Sequence, residues 1–253
     1  MYVFATINQK GGVGKSTTAA TLWAGLTLKG FKTLAIDLDA QTNLSFIVGA
    51  DTGKKTALSL LTGEATADEA IQHLGAGDII PASKNLAGID AVVEGTGREY
   101  RLKEALEPLQ ACYDYAVIDT PPALGISTIN ALTACNSVII PAQADILSLQ
   151  GIEQLAETMK PVKKYCNHDL TIAGILLTRY NSRTALTRDI TNYVQQLASR
   201  LNTKVFATPI REGIAVKEAQ INQRTLFDYA PKANVTSDYT AFIEELLEGG
   251  KAE

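Results

Sequence analysis

Apolar and polar positions along the chain fall into two alternating textures. Short runs rich in Val, Ile and aromatic residues occupy positions 2–7, 33–37, 115–119, 137–140, 171–177 and 205–208. Such runs predict strands covered on both faces, as in a parallel sheet. Between them lie longer stretches with helical spacing. Residues 16–29 carry Ala20, Leu22, Trp23, Leu26 and Leu28 and stop at Gly30, which suits the position just past a helix end. Residues 147–165 and 186–201 are similar, and the tail 235–247 reads as a terminal helix with apolar Tyr239, Phe242, Ile243, Leu246 and Leu247. Strand alternating with helix throughout predicts a doubly wound α/β fold, a mainly parallel sheet with crossover helices on both faces. Residues 51–97 are the least regular, and the glycine and polar interruptions there predict small helices and surface loops.

Composition adds limits rather than new elements. No repeat or linker divides the 253 residues, so one domain over 1–253 is the simplest organisation, with 46% hydrophobic residues to build its core. The three cysteines, Cys112, Cys135 and Cys166, are far apart and form no C-x-x-C pair, so buried, reduced thiols are expected. No run approaches the roughly 18 apolar residues of a membrane span, and no targeting pattern precedes the first strand, which makes the cytosol the expected compartment. Net charge is −4, but its distribution is uneven: −5 over residues 1–150, +5 over 151–232 and −4 over 233–253. A basic segment is thus set inside an acidic chain.

The chemistry begins at "INQKGGVGKSTT", residues 7–18. The ordinary phosphate-binding loop is G-x-x-x-x-G-K-[ST], and counting back from Gly14-Lys15-Ser16 places its first glycine at Gln9, followed by a second lysine, Lys10. The context of strand, glycine-rich turn and helix is nevertheless met. Gly11, Gly12, Val13 and Gly14 let backbone N–H groups and the helix N-terminus point at phosphate oxygens. Lys15 is expected to neutralise β- and γ-phosphates, Ser16 to ligate Mg²⁺ and Thr17 to hold the α-phosphate of ATP. Three aspartates at strand ends complete the set. Asp119 is the expected Mg²⁺-side carboxylate, Asp37 assists near the metal, and Asp39, two residues into a loop, reaches the γ-phosphate side to orient the attacking water.

Four segments together resemble the ParA/Soj family of partition ATPases, within the larger deviant-P-loop group that includes MinD and the nitrogenase iron protein. They are "KGGVGKSTT" at 10–18, "DLDAQTNL" at 37–44, "VIDTPPALG" at 117–125 and "IREGIAVKEAQ" at 210–220. The resemblance implies that Lys10 is a signature lysine reaching across an ATP-bound homodimer to the phosphates held by the other subunit, in the manner of an arginine finger supplied in trans. It also implies that Asp39 positions water, that Asp119 with Thr120, Pro121 and Pro122 forms a switch, and that the base lies against Thr178, Arg179 and residues 210–213, including Ile210, Arg211 and Gly213. Many relatives have Pro and Asn where Arg211 and Gly213 stand, so backbone groups are expected to serve there.

Within the group, the acidic tail "YTAFIEELLEGGKAE" does not suit a membrane-binding helix, and no cysteine fits an iron–sulfur cluster. With the first strand expected at Tyr2, no N-terminal helix-turn-helix domain is expected. The resemblance then implies nonspecific DNA binding by the ATP dimer, release on hydrolysis stimulated by a ParB-like partner, and nucleoid association while ATP is bound. The basic segment holds Lys160, Lys163, Lys164, Arg179, Arg183, Arg188, Arg200, Lys204, Arg211, Lys217, Arg224 and Lys232, of which Lys217, Arg224 and Lys232 are the expected DNA contacts. Two rivals remain: a MinD-like, assembly or metabolic ATPase that does not use DNA, and a nucleotide-dependent switch in which hydrolysis is only a timer.

Overall fold

The computed structural model of the chain describes residues 1–181 and 185–249. Its strands are β1 (Tyr2–Thr6), β2 (Thr33–Asp37), β3 (Gln72–Leu74), β4 (Gly77–Ile80), β5 (Tyr115–Asp119), β6 (Ser137–Ala142), β7 (Thr171–Tyr180) and β8 (Ile210–Arg211). Among the described residues they form one sheet in the order β3-β4-β2-β5-β1-β6-β7-β8, parallel except where β3 meets β4. The helices are α1 (Lys15–Leu28), α2 (Asn43–Ile47), α3 (Ala57–Thr62), α4 (Ala67–Ala70), α5 (Ile89–Val92), α6 (Arg101–Leu106), α7 (Ile126–Ala134), α8 (Ile146–Tyr165), α9 (Ala185–Arg200), α10 (Ile214–Ile221), α11 (Leu226–Tyr229) and α12 (Asn234–Gly249).

The strands alternate side chains between two cores, which is why they read as continuous apolar runs. Ala5, Ile36, Ile118, Ile140 and Ile175 face the layer of α3, α6, α7, α8 and α9. Phe4, Ala35, Val117, Ile139 and Leu176 face the layer of α1, α10, α11 and α12. The terminal helix buries Tyr239, Phe242, Ile243 and Leu246 in that second core, so its apolar side is spent on packing. No helix among the described residues is long and apolar enough to cross a membrane.

Two expectations are corrected. Residues 51–97 contain the β3–β4 hairpin at the sheet edge as well as small helices. Gly77 carries φ 125°, and a Cβ there would lie 2.8 Å from Trp23 Nε1, so this strand begins with a glycine because α1 presses its tryptophan against the backbone. Residues 205–208 are not a strand. Only Val205 bridges to Ile175, because Ala207 and Thr208 donate their N–H groups to the Glu245 carboxylate at 3.0 and 3.3 Å and Pro209 has none to give. The edge strand forms later, at Ile210–Arg211.

The topology also positions the site. From β1 the chain moves through α1 to β2 on one side, and from β5 it crosses to β6 on the other, so the strand order reverses around β1. Ligands of open α/β sheets bind at the carboxyl ends of the strands beside such a reversal.

Candidate nucleotide site

The turn after β1 wraps around space at that reversal. Its left-handed positions are Gly12 (φ 77°) and Gly14 (φ 88°), while Gln9 is absent from the residues with positive φ. The ordinary glycine at that point is therefore not needed to make this turn. Added Cβ atoms at Gly11 or Gly12 would meet nothing within 4 Å, which leaves the loop's inner side open for phosphate. Thr178, at the end of β7, holds the loop from beneath: its hydroxyl donates to Val13 O at 2.7 Å and is 3.3 Å from Ala142 O. Gln143 donates to Gly12 O at 3.1 Å.

The two lysines are differently placed. Lys15 is buried at the start of α1, and its ammonium donates to Lys10 O at 3.1 Å. Burial pushes its pKa down, partly offset by the charges of Asp119 and Asp39. Lys10 is ion-paired with Asp145, which also caps α8 by accepting from Ser148 N at 2.9 Å. Burial pushes the Asp145 carboxyl up, but the Lys10 hydrogen bond, the Ser148 N–H and the Lys10 charge together hold it below the usual range.

Strand register assembles the carboxylates. Thr6 pairs with Asp119 across β1 and β5, and Asp119 pairs with Asp37 across β5 and β2, so the three side chains occupy one row. Asp37 accepts from Ser45 Oγ at 2.7 Å, Ser45 N at 2.8 Å and Asp39 N at 3.1 Å. Even so, burial pushes its pKa up to about 6, with the Asp39 charge adding to the rise. Asp119 accepts from Thr6 Oγ1 at 3.3 Å, while its Oδ2 is buried without a hydrogen-bond partner. Burial and the Asp37 charge raise its pKa well above the carboxylate range, against the pull of the Ser16 hydroxyl and the Lys15 ammonium. Two buried carboxylates, one with an orphaned oxygen beside Ser16, are short of positive charge. That donor set fits a hard divalent cation carried in by phosphates. Asp39 is also buried, and one carboxylate oxygen accepts from Gln41 N at 2.9 Å.

Beyond the loop lies a solvent-open cleft of about 630 Å³. Gly12, Gly14 and Thr17 line it together with Thr178, Arg179, Ile210, Arg211, Glu212, Gly213 and Tyr239. The expected base-contact segments are therefore brought together, although Thr178 spends its hydroxyl on the loop and Arg211 spends its guanidinium on Asp238, with two contacts of 2.7 Å. Gln220 of α10 donates to Thr17 Oγ1 at 2.8 Å.

The expected DNA contacts do not form one cluster of unengaged cations. Lys217 lines the cleft 4.0 Å from Glu212, Arg224 is ion-paired with Asp228, and Lys232 is exposed. Arg183 and the side chain of Arg188 lie outside the described residues.

Asn8, Gln143, Asp145 and Gln220 escaped the sequence reading. Gln220 closes the segment 210–220 that carried the resemblance without being assigned a role, and Asn8 carried a local signal in its place between β1 and the glycines, where its side chain accepts from Lys10 N at 2.9 Å and donates to Pro141 O at 2.8 Å.

With this geometry in place, similarity to known proteins becomes interpretable. A family model described as an AAA domain matches residues 1–172. The sporulation initiation inhibitor protein Soj of Bacillus subtilis is 36% identical over 98% of this chain and 99% of its own. The chromosome partitioning protein ParA of Caulobacter vibrioides is 36% identical over 97% of this chain and 93% of its own. The chain belongs to the ParA/Soj family. A solved structure described as cobyrinic acid a,c-diamide synthase from Mycobacterium smegmatis with bound ADP and magnesium superposes on this ParA/Soj chain with a TM-score of 0.86, at 35% identity over 100% of this chain and 96% of that one.

Proposed function

We propose that the chain is a partition ATPase that dimerises around two ATP–Mg²⁺, binds DNA without sequence preference in that state, and leaves it after hydrolysis. The observation that carries this reading is the joint presence of a phosphate loop with two lysines and a buried Asp119 oxygen that lacks a partner beside Ser16. The names of the Bacillus and Caulobacter relatives support partition as the purpose.

ATP enters with its triphosphate in the loop and its base in the cleft. Lys15 gives up its carbonyl contact for β- and γ-phosphate oxygens, and Thr17 takes the α-phosphate. Ser16 and Asp119, assisted by Asp37, hold Mg²⁺, which when bound offsets phosphate charge. Asp39 accepts a hydrogen bond from water and aims it in line at the γ-phosphorus, and the lysines stabilise the charge that builds on the phosphoryl oxygens. Lys10 first leaves Asp145, then reaches the nucleotide of the second subunit. Turnover is slow until a ParB-like centromere-binding partner stimulates it. The protein is cytoplasmic and nucleoid-associated while ATP is bound.

Joining two subunits doubles each modest basic patch on one surface and so turns weak phosphate contacts into useful retention. The decisive experiment is retention on nonspecific DNA at low salt with ATP, with Lys10→Ala as control. Wild type retained and Lys10→Ala lost supports the reading, whereas no ATP-dependent retention refutes it. That second result would favour the metabolic alternative, for which the synthase description of the Mycobacterium structure speaks.

A further inference from the structure

One hydroxyl beside the phosphate loop receives a hydrogen bond and gives none. Thr17 stands in the first turn of α1, and its Oγ1 accepts from Gln220 Nε2 at 2.8 Å. A threonine hydroxyl carries one proton and two lone pairs, so this bond uses a lone pair and leaves the proton free. Helical threonines commonly spend that proton on the carbonyl one turn back, as Thr21 does on Thr17 O at 2.7 Å and Thr27 on Trp23 O at 3.0 Å. For Thr17 that carbonyl is Val13 O, which takes the Thr178 hydroxyl at 2.7 Å instead. Among the described residues, Thr17 Oγ1 is thus supplied with a donor and with no acceptor.

The fold holds Gln220 where it can do this. Thr17, Val216 and Gln220 line both the solvent-open cleft and a second cavity of about 320 Å³, so they form the wall between the two. Ala219, the neighbour of Gln220 on α10, is buried in the same core as Ala19 and Ala20 of α1, which anchors this part of α10. On the cleft side the wall meets Gly12 and Gly14. Resting on the nucleotide reading above, we infer that Gln220 is a positioning residue for the α-phosphate. Its amide fills a lone pair of Thr17 and so turns the hydroxyl proton toward a phosphate oxygen. Gln220 touches no phosphate itself and acts through Thr17. A hydroxyl aimed in advance loses little rotational freedom when the anion arrives, and a hydrogen bond to a charged acceptor is roughly twice as strong as a neutral one.

The test uses the near-isosteric Gln220→Met, which keeps the wall and removes the donor. In equilibrium binding with Mg²⁺, Gln220→Met is expected to weaken ATP and ADP alike by about fivefold, the worth of one hydrogen bond, and Thr17→Val to weaken them by at least about tenfold. In the Thr17→Val background Gln220→Met is expected to cost nothing further, and an additive loss would overturn the action through Thr17. Gln220→Glu, which accepts the hydroxyl proton and donates nothing, is expected to bind no better than Gln220→Met; wild-type affinity there would overturn the direction assigned to the bond. Phosphorus NMR of bound Mg²⁺–ADP separates positioning from a merely structural role. The α resonance of Gln220→Met should move toward its place in Thr17→Val while the β resonance stays. Movement of both resonances together, or of neither, would overturn the proposal. Wild-type protein that binds no Mg²⁺–ADP would instead sink the nucleotide reading itself.

Discussion

Asp119→Asn is expected to make the ligand-free protein more stable and the liganded protein less responsive. The carboxylate accepts from Thr6 and feels the Ser16 hydroxyl, and its Oδ2 is buried without a partner in the row it shares with Asp37. Asparagine keeps the acceptor that Thr6 uses and replaces an orphaned charge with an orphaned neutral group. The neighbouring Asp37 shows the direction: burial in the same row pushes its carboxyl up to about 6. An oxygen buried without a partner costs about 1–3 kcal/mol, so a gain of that order is expected for Asp119→Asn, or about 3–8 °C in Tm for a chain of this size. The sign depends on pH. A carboxylate whose folded pKa is raised costs nothing below its unfolded pKa and progressively more as pH rises toward the folded value. The advantage of the variant should accordingly vanish near pH 4 and grow toward neutrality. Mg²⁺–ATP at about 100 times Kd should add about 2.7 kcal/mol to the wild type, and most of that increment should disappear in Asp119→Asn. Calorimetry with and without Mg²⁺–ATP, at pH 4.5 and 7.5, reads all of these. A variant that melts below wild type at pH 7.5 without ligand, or that retains the full Mg²⁺–ATP increment, would refute the assignment of that oxygen to a cation.

Four further outcomes are expected. Lys15→Ala should lower ATP affinity by at least about 100-fold in equilibrium binding, since on the proposed reading it removes the charge that meets the β- and γ-phosphates. Asp39→Ala should leave ATP binding and dimerisation intact while phosphate release falls by about 100-fold or more, and unchanged turnover would remove Asp39 from its role. Thr178→Val should cost about 1–2 kcal/mol in denaturant unfolding, because Val13 O loses a buried donor, with a parallel loss of ATP affinity. Gly77→Ala should cost about 2 kcal/mol or more, since it forces both the φ of 125° and a 2.8 Å approach to Trp23 Nε1; a neutral result would mean that the β3–β4 edge is free to move.

Those elements were legible in the sequence whose signal is local. The central strands announce themselves because both faces are covered, and α1, α8 and α12 because each carries enough turns to show its period. The hairpin β3–β4 failed this test: three and four residues, with His73 and Asp78 among them, hold too few apolar positions to show a pattern. Residues 205–208 failed in the opposite direction. Val205 and Phe206 look like a strand, but Glu245, about 40 residues later, takes the N–H groups that a ladder needs.

The site divides along the same line, and the division explains the odd loop. Lys10 to Thr17 could be read because neighbours in sequence build one turn, and Asp37 and Asp119 because they end strands. Asp145 could not be found, because it is 135 residues from the Lys10 it holds. Gln9 looked like damage to a rule, yet the turn places its left-handed residues at Gly12 and Gly14, so the missing glycine costs the backbone nothing. What position 9 does not need, position 10 exploits. A lysine at the loop mouth that is paired with Asp145 in the single chain is a cation with somewhere else to go, and breaking one partly exposed ion pair costs little. The phosphates of a second subunit's nucleotide offer it a larger negative charge than Asp145 does. On the proposed reading, the sequence anomaly and the ion pair fit one event, in which ATP on one subunit would draw Lys10 from the other.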